Sequence, residues 1–185
     1  EVGQPRRGRR RSHQAFGFEG YTDDEVRRAR AAYYGLITYM DNKIGKLMDA
    51  LEEQGLAENT VIIYTSDHGE SLGEHGLWRK MNFYEHSARV PLQISWPGVI
   101  SGGQHFDGAT SLVDVTATIL DVAGVSGRDL EHLRLDGDSL LPLMRGVTSK
   151  WKDEAFTEHL AHGTDRARAM VRKGNWKLCY SHGNP

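Results

Sequence analysis

One cysteine, Cys179, is the whole thiol content of these 185 residues. An internal disulfide is therefore excluded, and the pattern leans toward a reducing compartment, the cytoplasm ahead of the periplasm or a secreted setting. No apolar run approaches the roughly 20 residues needed to cross a bilayer. No apolar signal-peptide core opens the sequence, and residue 1 is Glu rather than Met, which points to a processed chain or a piece of a longer one. An excess of one charge is also missing. The net charge is -2, which argues against a general preference for nucleic acid or acidic membranes. There is no internal repeat and no long low-complexity segment.

What is present fits a globular chain: 38% hydrophobic and 26% charged residues, outside the disordered range. The length suffices for one domain or for part of a larger one. Residues 1–20 read as an irregular connector in which Arg6, Arg7, Arg9, Arg10 and Arg11 cluster without interleaved aromatics. A solvated linker explains that run better than a nucleic-acid patch. Residues 21–146 read as an α/β layer, and 147–185 as a small antiparallel sub-domain.

Thr22-Asp23-Asp24-Glu25 is a capping box. Val26, Ala29, Tyr33, Leu36, Ile37, Met40, Ile44, Leu47, Met48 and Leu51 follow at helical spacing, predicting a long helix that ends near Gly55 and turns this stripe to the core. Ser111 caps a second helix carrying Leu112, Val115, Ile119, Leu120 and Val122 and closed by Gly124. A turn at Asp136-Gly137 and a short apolar helix or turn at 139–144 come next. Short strands are expected at 155–159, 167–172 and 176–180, the last two joined by Lys173-Gly174-Asn175.

The chemistry gathers after one strand. Val61 to Ser66 is rich in β-branched residues and stops at Asp67-His68-Gly69-Glu70. Neighbours on a strand face opposite ways, so Asp67 and His68 can converge only where the strand has ended. Ligands of α/β sheets bind at such carboxyl ends. A carboxylate beside a neutral imidazole suits a divalent metal, though two ligands do not close a site. Capping of a turn by Asp67 accounts for the pair equally well. The Gly-rich segment 67–88 then brings Lys80, whose ammonium suits an anionic tetrahedral group, and His75 and His86. A solvated Lys80 and uninvolved histidines are the plainer alternatives. Arg89 precedes the strand at 90–95 and is expected to pair with Glu85. Cys179 lies in a strand and reads as structural.

At this point a family resemblance becomes specific. Thr65-Ser66-Asp67-His68-Gly69-Glu70, Gly76-Leu77-Trp78-Arg79-Lys80 and Tyr84-Glu85-His86-Ser87-Ala88-Arg89-Val90-Pro91-Leu92 together resemble the sulfatases of the alkaline phosphatase superfamily, nearest in wording to choline-sulfatase-like members. Tyr39 to Gly45, Gly55 to Thr60, Ser111 to Asp114, Leu135 to Leu140 and Met170 to Lys177 agree, so the likeness runs over about residues 20–180. It implies an α/β/α sandwich of the alkaline phosphatase type with a small C-terminal antiparallel sub-sheet. It implies metal ligation by Asp67 and His68, with calcium first and manganese second. Lys80 would be the sulfate contact and catalytic cation; His86, read from the loop itself, is the further candidate for a substrate contact. The implied reaction is hydrolysis of a small-molecule sulfate monoester, with no nucleic-acid or membrane partner and with homo-oligomerisation of the full-length protein left open.

One departure matters. Sulfatases use a formylglycine made from a Cys/Ser-x-Pro/Ala-x-Arg segment, and residues 1–185 contain no such segment. The expectation is therefore a C-terminal half whose nucleophile and remaining metal carboxylates lie upstream. Such a piece would be inactive alone and would expose apolar surface. Hydrolysis of phosphonate monoesters or phosphodiesters, and a non-catalytic metal-binding fragment, are the alternatives.

Overall fold

The structure, a computed structural model, describes residues 21–125, 132–160, 164 and 166–183. The Arg6–Arg11 cluster lies outside the described residues. Helix α1, Asp23–Glu53, starts at the capping box. Thr22 Oγ1 accepts the Glu25 N–H at 3.3 Å, and the Thr22 N–H donates back to the Glu25 carboxylate at 2.8 Å. Asp23, Asp24 and Glu25 fill the first turn, where the positive end of the helix dipole stabilises carboxylates. Gly55, at φ 66°, turns the chain away.

The apolar stripe of α1 departs from expectation. No residue of α1 is buried, and Leu36 and Leu47 are 63% and 61% exposed. Among the described residues, the helix is held mainly near its two ends. Val26 and Arg30 touch the 72–74 loop, where the Arg30 Nε donates to the Leu72 carbonyl at 2.7 Å. The other end meets the short 3-10 turn Ala57–Asn59. Periodicity set the helix and its stripe, but nothing described here covers the middle of it.

Strand β1, Ile62–Thr65, pairs antiparallel with β2, Leu92–Ser95, in the register Ile62 to Ser95 and Thr65 to Leu92. β2 begins just after Pro91, which has no N–H to give a ladder. The Thr65 hydroxyl closes that end by donating to the Pro91 carbonyl at 2.8 Å. Between the strands run the long loop 66–84 and a one-turn helix α2, Glu85–Ala88.

Helix α3, Leu112–Val122, and the short α4, Leu141–Met144, are tied together by a buried carboxylate. Asp114 is fully buried. It accepts the Ser111 and Asp138 N–H groups at 2.7 and 2.9 Å, and the Lys152 ammonium at 2.9 Å. Burying a charge is tolerable only when it is paired and hydrogen-bonded in this way. Thr118 relays the tie, donating to the Asp114 carbonyl at 2.6 Å and accepting the Leu140 N–H at 2.9 Å. Gly137 sits so close that a Cβ there would stand 2.2 Å from the Val113 carbonyl oxygen.

Strands β3 (Glu154–His159), β4 (Arg168–Lys173) and β5 (Trp176–Ser181) form an antiparallel sheet in the order β3-β4-β5. Gly174, at φ 53°, turns β4 into β5. The sheet is fastened at its entry: Asp153 accepts the Ala109 N–H at 2.7 Å, and the Trp151 indole donates to the Ala109 carbonyl at 2.7 Å. The apolar residues buried among those described are Ala109, Ala117, Leu140, Leu141, Leu143 and Met170, most of them on or beside α3 and α4, which pack together.

Candidate functional site

β1 ends at Thr65, and the Asp67 and His68 side chains converge just beyond it. The His68 N–H donates to Asp67 Oδ1 at 2.9 Å, and the Ser66 hydroxyl donates to the His68 carbonyl at 2.8 Å. His68 Nδ1 lies 2.7 Å from the Gly69 carbonyl oxygen. A carbonyl only accepts, so Nδ1 is the donor in this contact, and Nε2 is the nitrogen whose lone pair faces a metal when the ring is neutral. That Nε2 stands 3.4 Å from Asp67 Oδ2. A cation about 2.4 Å from each atom, at roughly a right angle, spans such a gap. The donor set therefore fits a divalent ion, with a hydrogen bond behind the imidazole fixing which nitrogen faces it. It is incomplete, because no group of three or more His, Cys, Asp or Glu able to hold a metal occurs among the described residues.

The Asp67 carboxyl is held below its ordinary range. Desolvation pushes it up, and the His68 charge, the backbone N–H groups of His68 and Asp67 and the charge of Lys80 together outweigh that push. Lys80 therefore acts on the same carboxylate as His68. Asp67, His68 and Lys80 line one open cleft of about 1600 Å³ that runs on past β2 toward β3 and β4.

The loop is built to aim Lys80. Arg79 adopts a left-handed conformation, φ 65°, which costs a non-glycine residue about 1–3 kcal/mol. Both ends of its peptide frame are clamped. Glu70 Oε1 accepts the Arg79 N–H at 2.5 Å, and the buried Ser71 gives its N–H and hydroxyl to the Arg79 carbonyl at 3.0 and 2.5 Å. Asn82 donates to the Ser71 hydroxyl at 3.0 Å. Ser87 then donates to the Lys80 carbonyl at 2.7 Å and accepts the Gly69 N–H at 2.8 Å. Gly69 must be glycine for space: a Cβ there would stand 2.1 Å from the His86 carbonyl oxygen.

The structure brings Asp67, His68 and Lys80 together but not His86. His86 stacks with Tyr84 at 5.5 Å between ring centroids and lies 5.6 Å from His75, and it is absent from the cleft lining. The substrate contact expected of His86 finds no support in that placement. Glu85 also has different partners from those expected. Lys177 and Arg172 hold its carboxylate directly, while Arg89 contributes only a longer-range charge. Cys179 is exposed on β5. Glu70, Ser71, Ser87 and Lys177 were not singled out from the sequence. Only Glu70 carried a signal, its place directly after the Asp67-His68-Gly69 turn.

A family model described as Sulfatase matches residues 9–125. A second, described as N-sulphoglucosamine sulphohydrolase, C-terminal, matches residues 73–182. The chain belongs to the sulfatase family. Among curated sulfatases it is 43% identical to a choline-sulfatase of Rhizobium meliloti over 89% of its own length and 31% of that protein. It is 37% identical to arylsulfatase K of Rattus norvegicus over 88% of its own length and 30% of the relative. The chain thus spans about a third of the length of these sulfatases. Among solved structures it matches a phosphonate monoester hydrolase of Silicibacter pomeroyi with a TM-score of 0.76 and 31% identity, over 86% of this chain and 34% of that one. A phosphonate monoester hydrolase of Agrobacterium radiobacter gives 0.78 and 29%, over 90% and 35%. The fold is accordingly the alkaline-phosphatase-like α/β arrangement of the sulfatases, with the small antiparallel sheet at its end.

Proposed function

We propose that the whole protein hydrolyses a sulfate monoester, and that this chain supplies the Asp67–His68 cation edge and the Lys80 anion contact. The observation that carries the reading is the approach of Asp67 Oδ2 to His68 Nε2 at 3.4 Å, in the cleft that Lys80 also lines. A bound divalent cation, calcium ahead of manganese, would supply Lewis acidity and screen the charge of the sulfate oxygens. Asp67 and His68 hold that ion, and Lys80 gives fixed positive charge where the tetrahedral anion sits. The nucleophile and the remaining metal ligands belong to residues outside these 185, so the isolated chain turns over no ester. His86 has no role in this reading. The reading assigns no nucleic-acid or membrane partner, and self-association of the whole protein stays open.

Hydrolysis of phosphonate monoesters is the second reading, favoured by the two phosphonate monoester hydrolases among the structural neighbours. Both substrates are tetrahedral anions. The test is turnover of an aryl sulfate and an aryl phosphonate monoester by the whole protein, before and after chelation, with calcium or manganese added back. The expected result is a larger kcat/KM for the sulfate, lost on chelation and restored by metal. Lys80→Ala should cost about 100- to 1000-fold in kcat/KM, the effect of removing one preorganised donor from developing charge. Unchanged turnover in an Asp67→Ala variant would overturn the assignment, and a reversed preference would select the phosphonate reading.

A further inference from the structure

We infer that the β4–β5 hairpin is a latch for the Lys80 loop, with Lys177 and Arg172 gripping Glu85 and thereby positioning Lys80 against the Asp67–His68 edge. The inference rests on the functional reading above and extends it to residues that touch neither cation nor ester.

The connection is continuous. Lys177 on β5 donates to the Phe83 carbonyl at 2.9 Å and to the Glu85 carboxylate. Arg172 on β4 brings its Nη1 to 3.6 Å from the other Glu85 oxygen. Its Nε donates to the Gly174 carbonyl at 3.1 Å, so the guanidinium is fixed to its own hairpin turn. Glu85 opens α2, and Ser87, two positions on, is buried. Ser87 is bonded to the Lys80 carbonyl on one side and the Gly69 N–H on the other. Gly69 directly follows His68. The hairpin therefore reaches both halves of the site through one helical turn, although Lys177 and Glu85 are 92 residues apart. Glu85, Arg172, Lys177 and Lys80 all border the same cleft.

A general brace for the fold is the competing account. The Glu85 side chain is 51% exposed and that of Lys177 25%, and exposed ion pairs contribute little to global stability. What this pair holds is local: the peptide groups from Phe83 to Ser87. Displacement of a positioned group by about 1 Å can cost on the order of 100-fold in rate. Glu85, Arg172 and Lys177 are accordingly positioning residues.

The test uses the whole protein and the variants Lys177→Met, Lys177→Arg and Glu85→Gln, with the Glu85→Gln/Lys177→Met double variant. Lys177→Met should lower kcat/KM for an aryl sulfate by roughly 10- to 100-fold, mostly through KM. Amide exchange should speed up over residues 83–88, with exchange in α3 and β3 unchanged. Lys177→Arg should restore most of both. In the Glu85→Gln background, Lys177→Met should add little, as expected for one coupled unit. Wild-type kinetics and wild-type exchange at 83–88 in Lys177→Met would overturn the latch. So would a loss matched by faster exchange throughout the protein. If the wild type hydrolyses neither sulfate nor phosphonate esters, the functional reading fails by itself, and exchange at 83–88 still decides the latch.

Discussion

At Gly69 the fold leaves room for hydrogen and nothing more. A Cβ there would meet the His86 carbonyl oxygen at 2.1 Å, and backbone cannot yield as a side-chain end can. Gly69→Ala should therefore separate the Asp67–His68 turn from α2, with an overpacking cost of about 1–3 kcal/mol. The expected outcome is a lower Tm together with weaker calcium binding, measured by thermal unfolding and calorimetry. Retention of both would mean that the two segments part freely. This scale also shows what residue identities reveal and where they stop. That Asp67, His68 and Lys80 would border one cleft was legible from their order along the chain. The direction of the His86 ring was not, because it depends on its neighbours, here Tyr84 and His75. Glu70 and Ser71 escaped notice because their acceptor and donor groups serve the Arg79 peptide frame, and contacts nine and eight residues away leave no local pattern.

At the scale of elements, α2 is a single turn whose position depends on what grips it. The Glu85 carboxyl is held below the ordinary glutamate value. The Lys177 hydrogen bond is the first cause and burial opposes it, while the charges of Lys177, Arg172 and Arg89 add to the lowering. A carboxyl with a depressed folded-state pKa stabilises the fold fully above its unfolded value of about 4.5. That contribution is lost as the pH falls through the folded-state value. The Tm difference between wild type and Glu85→Gln should thus be present at neutral pH and vanish in acid below that range. Exposure keeps it small, on the order of 0–1 kcal/mol. A difference that grew with acidity would contradict the sign. Helix and strand boundaries were the most legible part of this chain, because caps, Pro91 and Gly174 are local signals. The antiparallel sub-sheet was expected from its hairpin turn and is present. The Asp114–Lys152–Asp138 cluster was not foreseen, because its members come together only when α3, α4 and the entry to β3 pack.

Over the whole molecule, the described residues leave many large apolar side chains exposed. Leu36, Ile37, Met40 and Leu47 on α1 stand 49–63% exposed, although their spacing is that of a core-facing helix. Surface of this kind favours association. The chain by itself should bind a hydrophobic dye and self-associate at micromolar concentration, and Ile37→Glu with Met40→Glu should reduce both, as read by dye fluorescence and light scattering. A monodisperse chain that binds no dye would show the stripe to be covered by segments outside the described residues. Periodicity revealed that this helix needs a partner but carried no sign of which one, since a stripe reads alike whatever packs on it.

The solitary thiol gives the molecule a built-in address. Cys179 is exposed and lies two positions beyond Lys177 on β5, hence on the same side of the strand. A maleimide dye added to the chain would mark one site without any engineered cysteine. Its emission would change with the surroundings of the hairpin and not with those of α1 or α3. A label at Cys179 should therefore respond when Lys177→Met releases Glu85 and stay unchanged when Lys80 is replaced, which lets a fluorimeter follow the loop's anchorage in a protein whose turnover is not being measured.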